Sequence, residues 1–290
     1  MLNYQIFTDA TSDMSADMFM GCAPVEILPM EIEMNGKIYT YGPGSDFTVK
    51  QFYEMQRTGN FARTSQINPE IYYHSFERYL KRGKDILYFC FSSGMSGTIN
   101  TAKMVINQLE EKYPERKIVC IDTLCASVGE GLLVREAAQR QAEGMGMQDL
   151  VSWIEQYRLN VCHWFTVDTF EHLKHGGRVS AASAMIGTVL SIKPLLHVDG
   201  MGKLGVAEKA RGRKRAMESQ LLRMEQGWYP EVSRQVVIGH GDCPEEAEKL
   251  KKMLKDKFPD AEILTSEIGP VIGAHTGPGM LAVIYWGNNR

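Results

Sequence analysis

Three short segments of the sequence combine hydroxyl groups, glycines and one imidazole, the kinds of donor that suit a small anion. They are Thr64-Ser65-Gln66, Ser93-Gly94-Met95-Ser96-Gly97-Thr98 and Gly273-Ala274-His275-Thr276-Gly277-Pro278-Gly279. Neutral hydroxyl and imidazole donors can satisfy both oxygens of a carboxylate without a metal ion. If the fold brings these segments together, they predict a carboxylate-binding site.

The middle segment lies between a strand pattern and a helix pattern. The run from Ile86 to Phe91 is apolar throughout, which is typical of a strand buried on both faces of a parallel sheet, and apolar residues at helical spacing follow from Ile99 to Tyr113. Free N–H groups and the positive end of the helix dipole attract anions at such a junction. Taken by itself, the loop favours a simpler interpretation, in which Ser96 caps the helix.

Other motifs argue against several enzyme and metalloprotein classes. No Walker-A motif is present, and the glycines of 200–205 precede a strand pattern rather than a helix, so they indicate a turn. Gly94-Met95-Ser96-Gly97 does not match the nucleophile motif GxSxG. His172, His175, His240 and the six cysteines lack metal-ligand spacing, and we expect neither a metal nor a cofactor. The basic cluster 211–215 has no interleaved aromatic residues and indicates a solvated helix start.

Composition indicates an ordinary globular protein. The 290 residues are 44% apolar and 23% charged, with a net charge of −3, which gives no overall attraction to nucleic acid or to anionic membranes. No apolar run approaches the length of a membrane span, and the first residues do not resemble a signal peptide. Cysteines without CxxC pairs, three of them in apolar runs, favour reduced thiols and a cytoplasmic location.

Strand and helix patterns alternate along the chain, which predicts an α/β fold with mainly parallel sheets. In the first part, strands are expected at 4–8, 86–91 and 118–121, a hairpin over 25–41 with Asn35-Gly36 at its turn, and helices at 48–57, from 69 onward, 99–113, 127–143 and 147–159. The pattern then starts again near residue 160. We therefore expect two α/β domains, 1–160 and 161–290.

The second part is expected to begin with a strand at 162–167. It continues with a helix-like stretch at 181–190, a hairpin over 195–208, a helix at 213–227, a strand at 236–240, a helix at 244–258 and a strand at 263–265. A Gly/Pro-rich loop at 269–279 should then lead into a last strand at 281–286.

The motifs occur in a recognisable order. They are Asp9-Ala10-Thr11-Ser12-Asp13, Thr64-Ser65-Gln66, 92–98, 176–180, Ile192-Lys193-Pro194, Arg211-Gly212 and 268–279. In this combination, over nearly the whole chain, the sequence resembles the DegV family of bacterial fatty-acid-binding proteins. It departs from the family pattern at Ile67-Asn68, where Pro-Ser is expected, and at Asp122-Thr123, where Asp-Ser is expected.

The resemblance implies two α/β domains with one long-chain fatty acid bound between or beneath them. Its carboxylate would be held by Thr64 and Ser96 with His275 close by. Further ligand-binding residues would be Ser65, Ser93, Gly97 and Thr276. Relatives act as the lipid-presenting subunit of bacterial fatty acid kinase, in which a separate ATP-dependent partner phosphorylates the carboxylate. On that model the chain catalyses nothing alone, and Arg178 lies at the rim and assists docking or phosphoryl transfer.

Two alternatives from other classes remain open. A serine-dependent acyl hydrolase or acyltransferase would use Ser96 as nucleophile and His275 as base, although the sequence offers no evident acidic partner for His275. A sugar- or ketone-binding protein would use His275 to contact its ligand. A long apolar tunnel would argue against this last alternative.

Overall fold

The computed structural model describes residues 2–14, 16–45, 47–178, 192–288 and 290. Its strands are β1 Tyr4–Asp9, β2 Val25–Leu28, β3 Met30–Met34, β4 Lys37–Tyr41, β5 Ala62–Thr64, β6 Asp85–Cys90, β7 Ile118–Asp122, β8 Val161–Thr166, β9 Ile192–Val198, β10 Leu204–Arg211, β11 Gln235–His240, β12 Glu262–Glu267 and β13 Leu281–Trp286. Its α-helices are α1 Val49–Arg57, α2 Pro69–Leu80, α3 Thr98–Lys112, α4 Val128–Ala142, α5 Met147–Tyr157, α6 Glu171–His175, α7 Gly212–Gly227, α8 Pro244–Lys257 and α9 Pro270–Thr276. The helix expected at 181–190 lies outside the described residues.

The first sheet has four strands in the order β2-β1-β6-β7, all parallel. Side chains of β6 alternate between two cores: Leu87 and Phe89 pack in one, and Ile86 and Tyr88 in the other. Because both faces are covered, the strand is apolar throughout, as the sequence predicts. Polar loops therefore follow strands that are buried on both faces.

The second sheet has six strands in the order β10-β9-β8-β13-β11-β12, and only its β11–β12 pair is parallel. The expectation of mainly parallel sheets is therefore wrong for this half of the chain, although the two-domain α/β class is confirmed. Strand β13 is apolar because Ala282 faces one core and Val283 the other. An uninterrupted apolar strand indicates that both of its faces are buried. An antiparallel strand in the middle of a covered sheet meets this condition as well as a parallel strand does.

A small antiparallel sheet, β4-β3-β5, lies beside these two. The hairpin turn at Asn35-Gly36 is confirmed, and both residues have positive φ, of 55° and 70°. The hairpin is shorter than expected, because residues 25–28 form β2 and pair in parallel with β1. The third strand, β5, ends at Thr64 and so brings this hydroxyl to the edge of the sheet.

The segment expected as a Gly/Pro-rich loop contains a helix, α9. Pro270 occupies its first turn and Gly277, with φ 73°, follows its last residue. Proline at the start and glycine just after the end are cap residues of a helix, so the composition that suggests a loop here marks helix ends. Helix α9 packs against β3, β5, α1 and α6.

One hydrophobic core joins the two main sheets. It contains Leu87 and Phe89 of β6 together with Phe165 of β8 and Ala282 of β13. The strands of the first sheet lie within residues 4–122 and those of the six-stranded sheet within 161–286. The domain boundary near residue 160 remains a prediction.

Candidate functional site

A cavity of about 250 Å³ lies between the two main sheets. Its wall is mostly apolar and includes Phe91, Met95, Phe165, Leu204, Ile272 and Ile284. These residues come from the loop after β6, from three strands of the six-stranded sheet and from α9, so distant parts of the chain form the cavity together. Such a chamber with a few polar groups is typical of a small-molecule site.

The polar end of the cavity is built around Thr64 and His275. Thr64 Oγ1 and His275 Nε2 are 2.9 Å apart, which is a hydrogen bond between the end of β5 and the last turn of α9. Ser96 and Gly97, at the start of α3, line the same cavity. The fold therefore brings together hydroxyls and an imidazole from three distant segments.

Helix α9 is held in place along its length by two side chains. The Gly269 N–H, at its start, donates to Asp13 Oδ1 at 2.8 Å. Gln56 Nε2 donates to the Gly273 carbonyl at 3.0 Å, two residues before His275. A carboxyl group at the N-terminus of a helix also interacts favourably with the helix dipole. Side chains from the N-terminal part of the chain thus hold the helix that carries His275.

His275 is neutral at physiological pH. Burial lowers the pKa of its imidazole to about 4, and the nearby charges of Arg178 and His175 lower this pKa further in the same direction. Its Nδ1 has no hydrogen-bond partner among the described residues and lies against Gly176, where an added Cβ would be 2.1 Å away. A neutral imidazole can serve a carboxylate as a hydrogen-bond donor without adding a full charge to the cavity.

Ser96 has the capping role only in part. Its Oγ accepts a hydrogen bond from the Thr98 N–H at 3.3 Å, while Gly97 occupies the N-cap position without a side-chain cap. A Cβ at Gly97 would be 2.9 Å from Gln66 Nε2, so glycine permits the close approach of the Gln66 segment. The start of α3 thus lines the cavity with a glycine at its N-cap, where backbone N–H groups lack a side-chain cap from that residue.

Arg178 is exposed and also lines the cavity. Its Nε donates to the Met95 carbonyl at 3.4 Å and its Nη1 to the Gly176 carbonyl, so the guanidinium connects the loop after β6 with the segment after α6. One face of this cation is therefore anchored and the remainder reaches solvent. A role of Arg178 in partner docking or phosphoryl transfer stays a prediction.

The other expected site residues have different placements. Ser65 lines the cavity and is exposed, and Thr276 lines it while its hydroxyl donates to the Ile272 carbonyl at 3.2 Å. Ser93 is not among the described residues that line the cavity. Its side chain is exposed, and its N–H donates to Asp122 Oδ1 at 3.1 Å. The structure therefore does not bring Ser93 together with Thr64, Ser96 and His275 in the cavity wall.

The cavity wall contains a second polar patch, which the sequence motifs do not predict. It consists of Thr11, Ser127 and His163. Ser127 has φ 54° and ψ −142°, a strained conformation for a residue with a side chain, which costs of order 1–3 kcal/mol. Its hydroxyl contacts Asp13 Oδ2 at 2.6 Å. The pattern of 127–143 predicts only a helix start at this position.

Behind this patch lies a buried group of three carboxyls, Asp9, Asp13 and Glu130. Burial raises the pKa of each of them, and their mutual repulsion adds to the increase for Asp13 and Glu130. The single hydroxyl of Thr11 contacts both Asp9 Oδ1 and Glu130 Oε2, the latter at 3.0 Å. Thr11 has one hydroxyl hydrogen for these two carboxyl groups, and the raised pKa of both favours retention of a proton between them.

The geometry around His275 differs from that of a serine hydrolase. His275 Nε2 is paired with Thr64 rather than with Ser96, and no carboxyl contacts its Nδ1 within the described part of the chain. In the same residues, no group of three or more potential ligands is placed to hold a metal ion. None of the described helices combines the length and the apolar character that crossing a bilayer requires.

Comparison with known proteins identifies the family. A family model described as an uncharacterised protein of the DegV family matches residues 3–288. The chain belongs to the DegV family. A DegV domain-containing protein of Clostridium perfringens, CPE0026, is 39% identical over 290 residues, which cover 100% of this chain and 99% of that one.

Two solved structures of fatty-acid-binding proteins resemble the chain closely. A fatty-acid-binding DegV protein from Thermus thermophilus is 27% identical with a TM-score of 0.87, covering 99% of this chain and 100% of its own. A stearic-acid-binding protein from Eubacterium ventriosum is 25% identical with a TM-score of 0.86, covering 97% and 98%. The DegV fold is thus shared over essentially the full length.

Proposed function

We propose that this DegV protein binds a long-chain fatty acid in the cavity and presents its carboxylate to a separate ATP-dependent kinase. The observation that carries the proposal is the Thr64–His275 hydrogen bond at the polar end of an otherwise apolar chamber. Thr64, Ser96 and neutral His275 hold the carboxylate, and Gly97 contributes its backbone at the helix start. The solved relatives from Thermus thermophilus and Eubacterium ventriosum, which bind fatty acids, support this half of the proposal.

Affinity and orientation come from different parts of the ligand. Burying roughly fifteen methylenes at ~0.8 kcal/mol each contributes on the order of 12 kcal/mol of gross transfer free energy. Association and the ordering of the acyl chain offset a large part of this. A carboxylate buried without donors would be strongly destabilised. Hydrogen bonds from the hydroxyls and the imidazole offset this desolvation cost and fix the orientation of the head group.

The kinase half of the proposal rests on the family resemblance and on Arg178. In the transfer, a carboxylate oxygen attacks the γ-phosphorus of ATP, the bond to the ADP oxygen breaks, and an acyl phosphate forms. Arg178, which is exposed at the cavity rim, stabilises the negative charge of the transferring group. The partner catalyses the transfer, and this chain supplies and positions the fatty acid carboxylate that accepts the phosphoryl group. We also place the protein in the reducing cytoplasm, because the sequence contains no CxxC pair of cysteines.

Mass spectrometry of lipid extracted from the purified protein tests the binding half. We expect a long-chain fatty acid in the extract and saturable binding of labelled fatty acid. Changing Thr64 and Ser96 together to Ala should weaken that binding by at least about tenfold, because two donors to a charged group are lost. Absence of lipid together with no binding of labelled fatty acid would refute the proposal.

Fluorophosphonate labelling tests the hydrolase alternative. A serine nucleophile activated by a base reacts with such a probe, whereas a hydroxyl that only binds a carboxylate does not. We expect no adduct on Ser96, since His275 is paired with Thr64 instead. A stoichiometric adduct on Ser96 that disappears in His275→Asn would favour the hydrolase.

A further inference from the structure

The cavity has a second polar contact point, at Ser127. Its side chain is 94% buried, since its exposed fraction is 6%, and it lines the same cavity as Thr64 and His275. An unsubstituted alkyl chain gains nothing from a hydroxyl in the wall. The patch therefore raises the question of which ligand would use it.

The hydroxyl of Ser127 is held rigidly and is only partly used. It contacts Asp13 Oδ2 at 2.6 Å, and no other hydrogen bond to its Oγ is found among the described residues. Whichever of the two atoms carries the shared proton, the Ser127 oxygen keeps a free hydrogen-bonding position, because a hydroxyl has one hydrogen and two lone pairs. The strained backbone of Ser127, fixed at the start of α4, sets the direction of this side chain.

The length of helix α9 gives an estimate of the distance between Ser127 and His275. Val271, Ile272, His275 and Thr276 line the cavity, so the cavity follows one face of α9. Asp13 contacts both Ser127 and Gly269, at the start of α9, while His275 lies at its end. The step from Gly269 to His275 corresponds to about 9 Å along a helix. A carbon–carbon bond of ~1.5 Å advances an extended zigzag chain by about 1.3 Å, so this length corresponds to roughly seven bonds and ends near the middle of a long acyl chain.

We propose that Ser127 is a specificity-determining residue that recognises a hydroxyl group near the middle of the bound acyl chain, so that the preferred ligand class is mid-chain hydroxy fatty acids. A ligand hydroxyl both donates and accepts, so it pairs with the Ser127 oxygen in either protonation state of Asp13. Thr11 lines the same cavity and adds to this polar surface. A ligand hydroxyl buried there is therefore not left without a hydrogen-bond partner. This inference rests on the proposed function, because it assumes that the carboxylate lies at Thr64 and His275.

Competition binding with three ligands tests the inference. Stearic acid, a mid-chain hydroxystearic acid and the hydroxy acid substituted next to its carboxyl group are compared on wild type, Ser127→Ala, Ser127→Gly and Ser266→Ala. Glycine suits the positive φ of position 127, so this variant keeps the backbone if alanine disturbs it. Ser266 is the matched control, because it is buried and donates to the Asp13 carbonyl at 2.7 Å but does not line the cavity.

We expect wild type and Ser266→Ala to bind the mid-chain hydroxy acid about three- to tenfold more tightly than stearic acid, and both Ser127 variants to lose that ratio. The acid hydroxylated next to its carboxyl should have no such advantage. An unchanged ratio in the Ser127 variants, or no mid-chain advantage in wild type, overturns the inference while leaving fatty acid binding intact. Failure of stearic acid itself to bind overturns the proposed function and this inference together.

Discussion

Thr64 and His275 are separated by 211 residues in the sequence, and their side chains are joined by a 2.9 Å hydrogen bond. Thr64 ends a strand of the small sheet, and His275 lies in the last turn of a short helix that packs on that strand. The bond therefore connects the N-terminal and C-terminal parts of the chain at the polar end of the cavity. Our account of ligand binding depends on this pair.

Replacing Thr64 by valine tests the hydroxyl without changing the side-chain shape. We expect fatty acid affinity to fall about tenfold, because one donor to the carboxylate is lost and His275 loses its partner. Equilibrium binding of labelled fatty acid measures the effect. Thr40→Val, on the exposed strand β4, is the matched control and should keep wild-type affinity. Equal affinities of the two variants would exclude the Thr64 hydroxyl from the site.

Gly176→Ala should displace the imidazole of His275. The backbone of Gly176, with φ −74°, accepts alanine, but the new Cβ would be 2.1 Å from His275 Nδ1. We expect a fall of about 1–3 kcal/mol in the free energy of unfolding and a loss of fatty acid affinity of at least tenfold. Gly200→Ala, which meets nothing within 4 Å, is the control. Denaturant unfolding and ligand titration measure both effects, and a wild-type affinity in Gly176→Ala would show that the position of the ring is unimportant.

Protonation of His275 should destabilise the ligand-free protein in mild acid. Its pKa is about 4 in the folded state, against roughly 6.5 when unfolded, so the unfolded state binds more protons between these values. Stability from this group is therefore present above about pH 6.5 and declines as the pH falls toward 4, by up to about 3 kcal/mol. His275→Asn should lack this component. Urea unfolding at several pH values would contradict the prediction if both proteins gave the same pH dependence.

Arg178→Ala should separate binding from phosphoryl transfer. The guanidinium is exposed at the rim, so its removal should change fatty acid affinity far less than the rate of acyl phosphate formation with the kinase partner, which we expect to fall about 100-fold. Arg178→Lys keeps the charge without the planar fork and should recover part of the rate. Acyl phosphate is trapped with hydroxylamine and quantified. A proportional loss of affinity and rate would assign Arg178 to the head-group site alone.

Local sequence signals predict the first half of the fold well. The Asn35-Gly36 turn, the Asn68 cap and Pro69 at the start of α2 each determine their own neighbourhood, and the structure agrees with them. Strand direction is different, because an apolar strand such as β13 has the same composition whether its neighbours run parallel or antiparallel. The composition of 269–279 predicts a loop where α9 lies, because glycine and proline mark both loops and helix ends.

The site shows the same limit. Hydroxyl–glycine loops at strand ends point to Thr64, Ser96 and His275, since these residue types serve few purely structural purposes together. Ser127 and Glu130 gave no such signal, because a serine at a helix start and a glutamate within a helix usually face solvent. Only packing of α4 between the two sheets buries them, and packing of that kind is a property of the whole fold.

The most direct test of the central claim is a crystal structure of the protein with a long-chain fatty acid bound. We predict a carboxylate within hydrogen-bond distance of Thr64 Oγ1, Ser96 Oγ and His275 Nε2, with the acyl chain following α9 between the two main sheets. A carboxylate located away from these three side chains, or an acyl chain outside this cavity, would contradict the account.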